Sequence, residues 1–416
     1  MNTILTLYNR FLNDTVLQWL LLGSIVSLPL NLFVNNLLFT VFFIGFTLKI
    51  LLNDPKELLT ILKRRFPLFL LLVGPLLITL IGCLYTTEPA AGFKDLGRLV
   101  PLALIIPAVL YAPGFFSAYL KRLVYALAIG CLAAALICWS LTLAEMYSTG
   151  YDLGDLFTPR FAYHELSGRI DIHTPYLGMF TAIAIFFLIT EFVRSTTKKA
   201  KLLYFIWAAI LLLFLFNLLA RTATVTLVIG TFAYMIYTKR YALIVLGAAV
   251  VITAGSLAYW QDHNFLRDRI FKSINLFESE TIFSKKDGRF ERFGASIVVF
   301  KQFPLLGPGT AAEDTYRKAA YYDNRDSVAY NANYNAHNQF LEYLSTFGLL
   351  GGLVFLALLI VLIRAAWGHP ILLFFAFSFI MAGLTESILE RSWGISFYLL
   401  LVMLIFGSKF STDEQV

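Results

Sequence analysis

The chain has 416 residues, of which 59% are apolar and only 14% charged, with a formal net charge of +7 and a mean hydropathy of +0.74. A soluble domain is about 45–50% apolar and about 25% charged. The composition therefore excludes a soluble globular enzyme, a disordered protein and a solenoid of amphipathic repeats.

The apolar residues fall in blocks of about 20, the length at which a helix crosses a ~30 Å hydrocarbon core. In chain order the blocks predict spans at 16–32, 36–52, 67–85, 95–112, 122–145, 174–193, 202–220, 222–238, 241–260, 341–363, 370–387 and 392–408. Unbroken apolar runs such as residues 202–219 predict helices rather than alternating barrel strands. The expected fold is an all-α polytopic membrane protein with about twelve transmembrane helices and a large, partly helical loop between the ninth and tenth. No cleavable signal peptide is expected at its start. Cys83, Cys131 and Cys138 all lie in apolar runs, without CxxC or metal-ligand spacing, and read as small buried hydrophobes.

Lys and Arg in the short loops set the orientation. With the N-terminus inside, 16 of the 33 basic residues fall on the cytoplasmic side. Six fall outside: Lys94, Arg98, Arg160, Arg169, Arg221 and Arg391. The imbalance puts both ends in the cytoplasm and segment 261–340 outside. The chain thus divides into residues 1–260 with nine spans, an outer loop domain at 261–340, and residues 341–416 with three spans and a short tail. Thirteen Phe and Tyr residues, from Phe265 to Tyr334, make the outer loop too aromatic for a solvated linker.

Charges in or beside a membrane are costly and mark function. Arg221, in Leu218-Leu219-Ala220-Arg221-Thr222-Ala223-Thr224, has apolar helix on both sides. It either snorkels between two spans or faces the bundle as a cation awaiting an anion. Arg289 and Arg292, in Gly288-Arg289-Phe290-Glu291-Arg292-Phe293, are neighbours near a predicted helix start. Phe290, Phe293, Ile297 and Phe300 form that helix's apolar stripe, and Asp287 or Gly288 is a candidate cap. Two guanidiniums there either solvate a face with Glu291 or bind phosphate as a fork. Phe303-Pro304-Leu305-Leu306-Gly307-Pro308-Gly309 then ends the helix.

His337 sits in Asn335-Ala336-His337-Asn338-Gln339-Phe340-Leu341-Glu342, at the outer end of the tenth predicted span, with Asn335 a candidate cap. It is either a polar surface residue or the side chain best suited to remove a proton near neutral pH. Glu342 is a candidate buried partner or a structural hydrogen-bonder. HExxH, GxGxxG, Walker A and GxSxG motifs are absent. No constellation reads as a metal site, so arginines are expected to neutralise any phosphate.

Taken in order, these motifs resemble the O-antigen ligase and polymerase family of bacterial membrane glycosyltransferases. The Asn335–Glu342 run with Gly348-Leu349-Leu350-Gly351 is similar to the family's HN-x-x-L-E…G-L-x-G signature. Gly288-Arg289 with Pro304–Gly309 is similar to its G-R…N-P-L-L-G-x-G run, with Phe303 in place of the usual Asn. Arg221-Thr222 resembles its short R-[AST] span start, and residues 85–99 resemble its second outer loop.

The resemblance implies a glycan donor carried on undecaprenyl diphosphate, transferred to a sugar hydroxyl. In a ligase the acceptor is lipid A-core; in a polymerase it is another repeat unit. It implies an inner-membrane enzyme whose active site faces the periplasm, with no cofactor, no metal and no nucleic-acid partner. His337 becomes the base, and Arg221 and Arg289 stabilise the diphosphate leaving group. Arg292, Tyr334 and Asn338 are expected to contact substrate. Direct displacement would invert the anomeric centre. A twelve-span secondary transporter is the rival from another class. Its long central loop would lie inside, between spans six and seven, where this chain has only residues 194–201.

Overall fold

A computed structural model describes residues 13–53, 55–241, 288–324 and 326–413. Among them the chain forms α1 (Asp14–Ser27), α2 (Leu32–Asn53), α3 (Pro55–Arg64), α4 (Phe66–Leu72), α5 (Gly74–Cys83), α6 (Pro89–Leu99), α7 (Pro101–Tyr111) and α8 (Pro113–Thr149). Then come α9 (His164–Gly168), α10 (Thr174–Arg194), α11 (Lys198–Leu218), α12 (Arg221–Tyr237), α13 (Gly288–Gln302), α14 (Ala312–Asp323) and α15 (Ser327–Ala332). The chain closes with α16 (Gln339–Ala366), α17 (Pro370–Gly383) and α18 (Ser392–Asp413). Short 3₁₀ turns stand at Leu153–Phe157 and Ile388–Glu390. Proline opens α3, α6, α7, α8 and α17, where its missing N–H costs no helical bond.

Among the described residues six helices are long and apolar enough to cross a membrane: α2, α8, α10, α11, α16 and α18. A seventh span is formed if α4 and α5, bent by 66° at Val73, count as one. The expected first and eleventh spans appear as the shorter apolar helices α1 and α17. The expected fourth span is divided between α6 and α7, with Pro107 inside the second piece. The ninth, at 241–260, and the first part of the outer loop lie outside the described residues. The later part of that loop is helical, as α13, α14 and α15. Large apolar side chains such as Trp19, Phe33, Leu202, Phe205 and Leu213 are exposed, which lipid tolerates and water does not. This is a multi-pass helical membrane protein.

The chain divides into two units. The first comprises residues 1–28, 32–123 and 285–416, the second residues 29–31 and 124–284. In the first, Phe42, Phe46, Phe115 and Phe116 form one aromatic cluster, and Phe375, Phe379, Phe397 and Tyr398 form another. In the second, α10 is the central helix, with 83% of its apolar window buried, packed against α11 and α12.

The apolar stripe expected on α13 is corrected. Ala295, Ser296 and Val299 face inward while Ile297 is 40% exposed. The small Ala295 lets α13 approach Ala320 and Tyr321 of α14 closely, so shape rather than residue size chose the buried face.

Candidate functional site

In the first unit, glycines at two separate motifs lock two segments together. Gly307 (φ +68°), Gly309 (φ +98°) and Gly348 (φ +62°) occupy the left-handed region. A Cβ on Gly307 would strike the backbone of Thr346, and one on Gly348 the backbone of Leu305. The positive φ at Gly348 breaks α16, and the amides freed there are used. Leu349 N donates to Pro304 O (2.8 Å) and Leu350 N to Leu305 O (3.2 Å), while Gly309 N donates to Thr346 O (3.2 Å). The Pro304–Gly309 turn therefore seats on the broken helix, which positions α14 behind it. Thr310 continues the lock: its hydroxyl donates to Thr79 O (2.8 Å), and Thr86 donates to Thr310 O (2.7 Å).

The His337 loop is held by a buried charge network. Arg317 of α14 is 1% exposed, and its Nη2 donates to Glu342 Oε1 at 2.6 Å. The other oxygen of Glu342 accepts from Ala336 N (2.8 Å) and from the Ser387 hydroxyl (2.9 Å). One carboxylate thus binds α14, the residue before His337 and the segment after α17. His337 itself has φ +47°, a conformation that costs a non-glycine residue about 1–2 kcal/mol and so needs this restraint. The cap of α16 is Asn338, which accepts from Phe340 N and Leu341 N, and not the expected Asn335. Asn335 instead accepts from His337 N at 3.1 Å.

The His337 ring is partly buried. Its Nδ1 lies 3.3 Å from Glu386 Oε2, and its ring packs edge-on to Tyr334 at 5.7 Å. Arg292 stacks over the Tyr334 ring, 4.0 Å from its centre, and its Nε has no hydrogen-bond partner. Tyr334 is thus brought to His337, and Arg292 to Tyr334. Asn338 borders it with both ends of its amide occupied, Nδ2 donating to Leu384 O at 3.1 Å. Arg289 opens α13, and its side chain lies outside the described residues. Arg221 stands exposed at the first residue of α12, in the second unit.

Tyr334 and His337 line a cavity of about 520 Å³, together with Lys94, Arg98, Glu313, Asp314, Asn333, Glu390 and Arg391. Burial, reinforced by Glu342, pushes the Glu390 carboxyl up to about 7. Arg98 donates to Glu390 O at 2.7 Å and pairs with Asp95. It also borders a mainly apolar groove of about 390 Å³ lined by α2, α7 and α18. Among the described residues no group of three or more His, Cys, Asp or Glu is placed to hold a metal ion.

Sequence reasoning missed Glu386 and the cations Lys94, Arg98 and Arg391. The charge count carried a signal for the cations, since these are three of the six basic residues assigned outside. Two of the others, Arg160 and Arg169, line an open cavity of about 650 Å³ in the second unit, where both pair with Glu145. Glu386 lies 49 residues after His337 in a short segment without a motif, and only folding joins them.

Residues 205–356 match the family model described as O-antigen ligase. No curated protein matches the chain. The matched region contains Arg221, Arg289, Arg292, Arg317, His337 and Glu342, whereas Arg98, Glu386 and Glu390 lie outside it.

Proposed function

We propose that this member of the O-antigen ligase and polymerase family, identified through residues 205–356, transfers a glycan from undecaprenyl diphosphate to a sugar hydroxyl of lipid A-core at the periplasmic face of the inner membrane. The observation that carries the reading is His337, restrained at a polar cavity with Glu386 against one nitrogen of its ring. A proton on Nδ1 donated to Glu386 leaves the Nε2 lone pair facing outward, the tautomer a general base requires. Nε2 takes the proton of the acceptor hydroxyl as its oxygen attacks the anomeric carbon. The bond to the diphosphate breaks, and the configuration inverts.

The leaving diphosphate gains negative charge as that bond breaks, and guanidinium groups stabilise it. Arg221 and Arg289 are proposed for this role from their motifs, with Arg292 in contact beside Tyr334. The groove that shares Arg98 with the His337 cavity suits the polyprenyl chain, since it is apolar and has a cation at its polar edge. Asn338 supports the site by capping α16 beneath His337.

Purified protein supplied with a lipid-linked glycan and two acceptors, lipid A-core and a free repeat unit, tests the assignment. Extension of lipid A-core supports ligation. Extension of the repeat unit alone identifies a polymerase, and transfer to neither denies the reading. EDTA is expected to leave the rate intact, because the reading needs no divalent ion.

A further inference from the structure

A group that the reaction above does not use stands in the same cavity. Glu313, in the first turn of α14, is 6% exposed, lines the cavity, and has a buried Oε2 without a hydrogen-bond partner. An unpaired carboxylate in such a place is costly, and a neutral carboxyl without a partner still forfeits a hydrogen bond. The nearby arginine directs its terminal nitrogens elsewhere: Arg317 donates Nη2 to Glu342 and Nη1 toward Asp314. Burial, then the charge on Asp314, hold Glu313 well above the usual carboxylate range. Its position is also fixed, because α14 follows directly on the locked Gly307–Thr310 turn.

We infer that Glu313 is the hydrogen-bonding post of a sugar subsite in the His337 cavity, where its carboxyl group engages a glycan hydroxyl. The inference rests on the reading that this cavity receives a glycan acceptor. A sugar hydroxyl both donates and accepts, so it pairs with a carboxyl group in either protonation state. Asp314 and Asn333, bonded to each other at 3.1 Å on the same wall, extend the polar surface that such a ligand needs.

The test is equilibrium binding of two lipid-free probes, core oligosaccharide and a repeat-unit oligosaccharide, to the purified full-length chain in detergent. Wild type is compared with Glu313→Gln, which keeps hydrogen bonding, and Glu313→Met, which fills similar volume without it. Unfolding midpoints are measured alongside. Loss of one buried hydrogen bond predicts about tenfold weaker binding of the preferred glycan to Glu313→Met. Glu313→Gln is expected to stay within about threefold of wild type. If Glu313→Met is unfolded, Glu313→Ala is read in its place. Unchanged affinity in the Met or Ala variant, or a loss in Gln as large as in Met, overturns the subsite. Failure of wild type to bind either glycan also overturns it. Transfer assays on the same samples separate the two readings. Wild type that binds but does not transfer denies the transferase alone, and wild type that transfers while Glu313→Met binds normally denies the subsite alone.

Discussion

Two arginine–glutamate clusters, one in each unit, use the same chemistry to different ends. In the first unit Arg317 and Glu342 are 1% and 3% exposed, and the carboxylate is fully committed to Arg317, Ala336 and Ser387. In the second, Arg160 and Arg169 share Glu145 at the rim of an open cavity, with Arg160 half exposed and stacked on Tyr151. A buried pair cannot be halved without stranding a charge, so it fixes geometry. A solvated pair is screened and exchangeable, so it holds little in place. The first cluster braces the loop that carries His337. The second leaves Arg160 accessible.

The largest effect should follow from halving the buried pair. Arg317→Met is expected to cost about 3–5 kcal/mol of stability by leaving the buried Glu342 charge without its cation. Arg317→Met combined with Glu342→Gln should recover part of it. Unfolding midpoints in detergent measure both, and a fully stable Arg317→Met would remove the bracing role.

Next come the arginines proposed to meet the diphosphate. Arg221→Lys and Arg289→Lys should each lose most activity, because a point charge lacks the bidentate fork. The corresponding Ala variants should lose about 10²–10³ in rate. Single-turnover transfer at saturating donor is the measurement, and wild-type rates for Arg289→Ala would exclude it from the reaction.

Glu390 makes a smaller, pH-dependent contribution. Its folded pKa of about 7 lies above the ordinary carboxylate range. Between those values the folded chain holds a proton that the unfolded chain has released, so stability falls as pH rises through that window and levels off above it. The unfolding midpoint of wild type should therefore drop more over this range than that of Glu390→Gln. Equal slopes would place the titration elsewhere.

The smallest effect is expected at the solvated cluster, where Arg160→Ala should leave the unfolding midpoint unchanged. A large loss there would erase the contrast between the two units.

Much of this was legible in the sequence for a physical reason. Apolar runs as long as 202–219 have few structures open to them in lipid, and they form helices. The Pro304–Gly309 and Gly348 motifs stand out because backbone meets backbone where a Cβ has no room. Span integrity was less legible. Gly74-Pro75 bends one predicted span, and the Val100-Pro101 junction with Pro107 divides another. The cap of α16 was misplaced by three residues, since Asn335 and Asn338 look alike until the turn between them is known. Glu386 was invisible because its partnership with His337 is made by the return of the chain after α17. Glu313 gave no signal either, since nothing in Ala312-Glu313-Asp314 says which carboxylate faces inward.

Proton transfer at His337 is the central step, and one comparison tests it most directly: turnover and donor binding by His337→Ala and His337→Gln in the same preparation. Glutamine keeps hydrogen bonding but cannot take the proton. Both variants are predicted to bind the lipid-linked donor and to lose about 10²–10⁴ in turnover. Glutamine retaining most of the wild-type turnover would make His337 a positioning group and contradict the account.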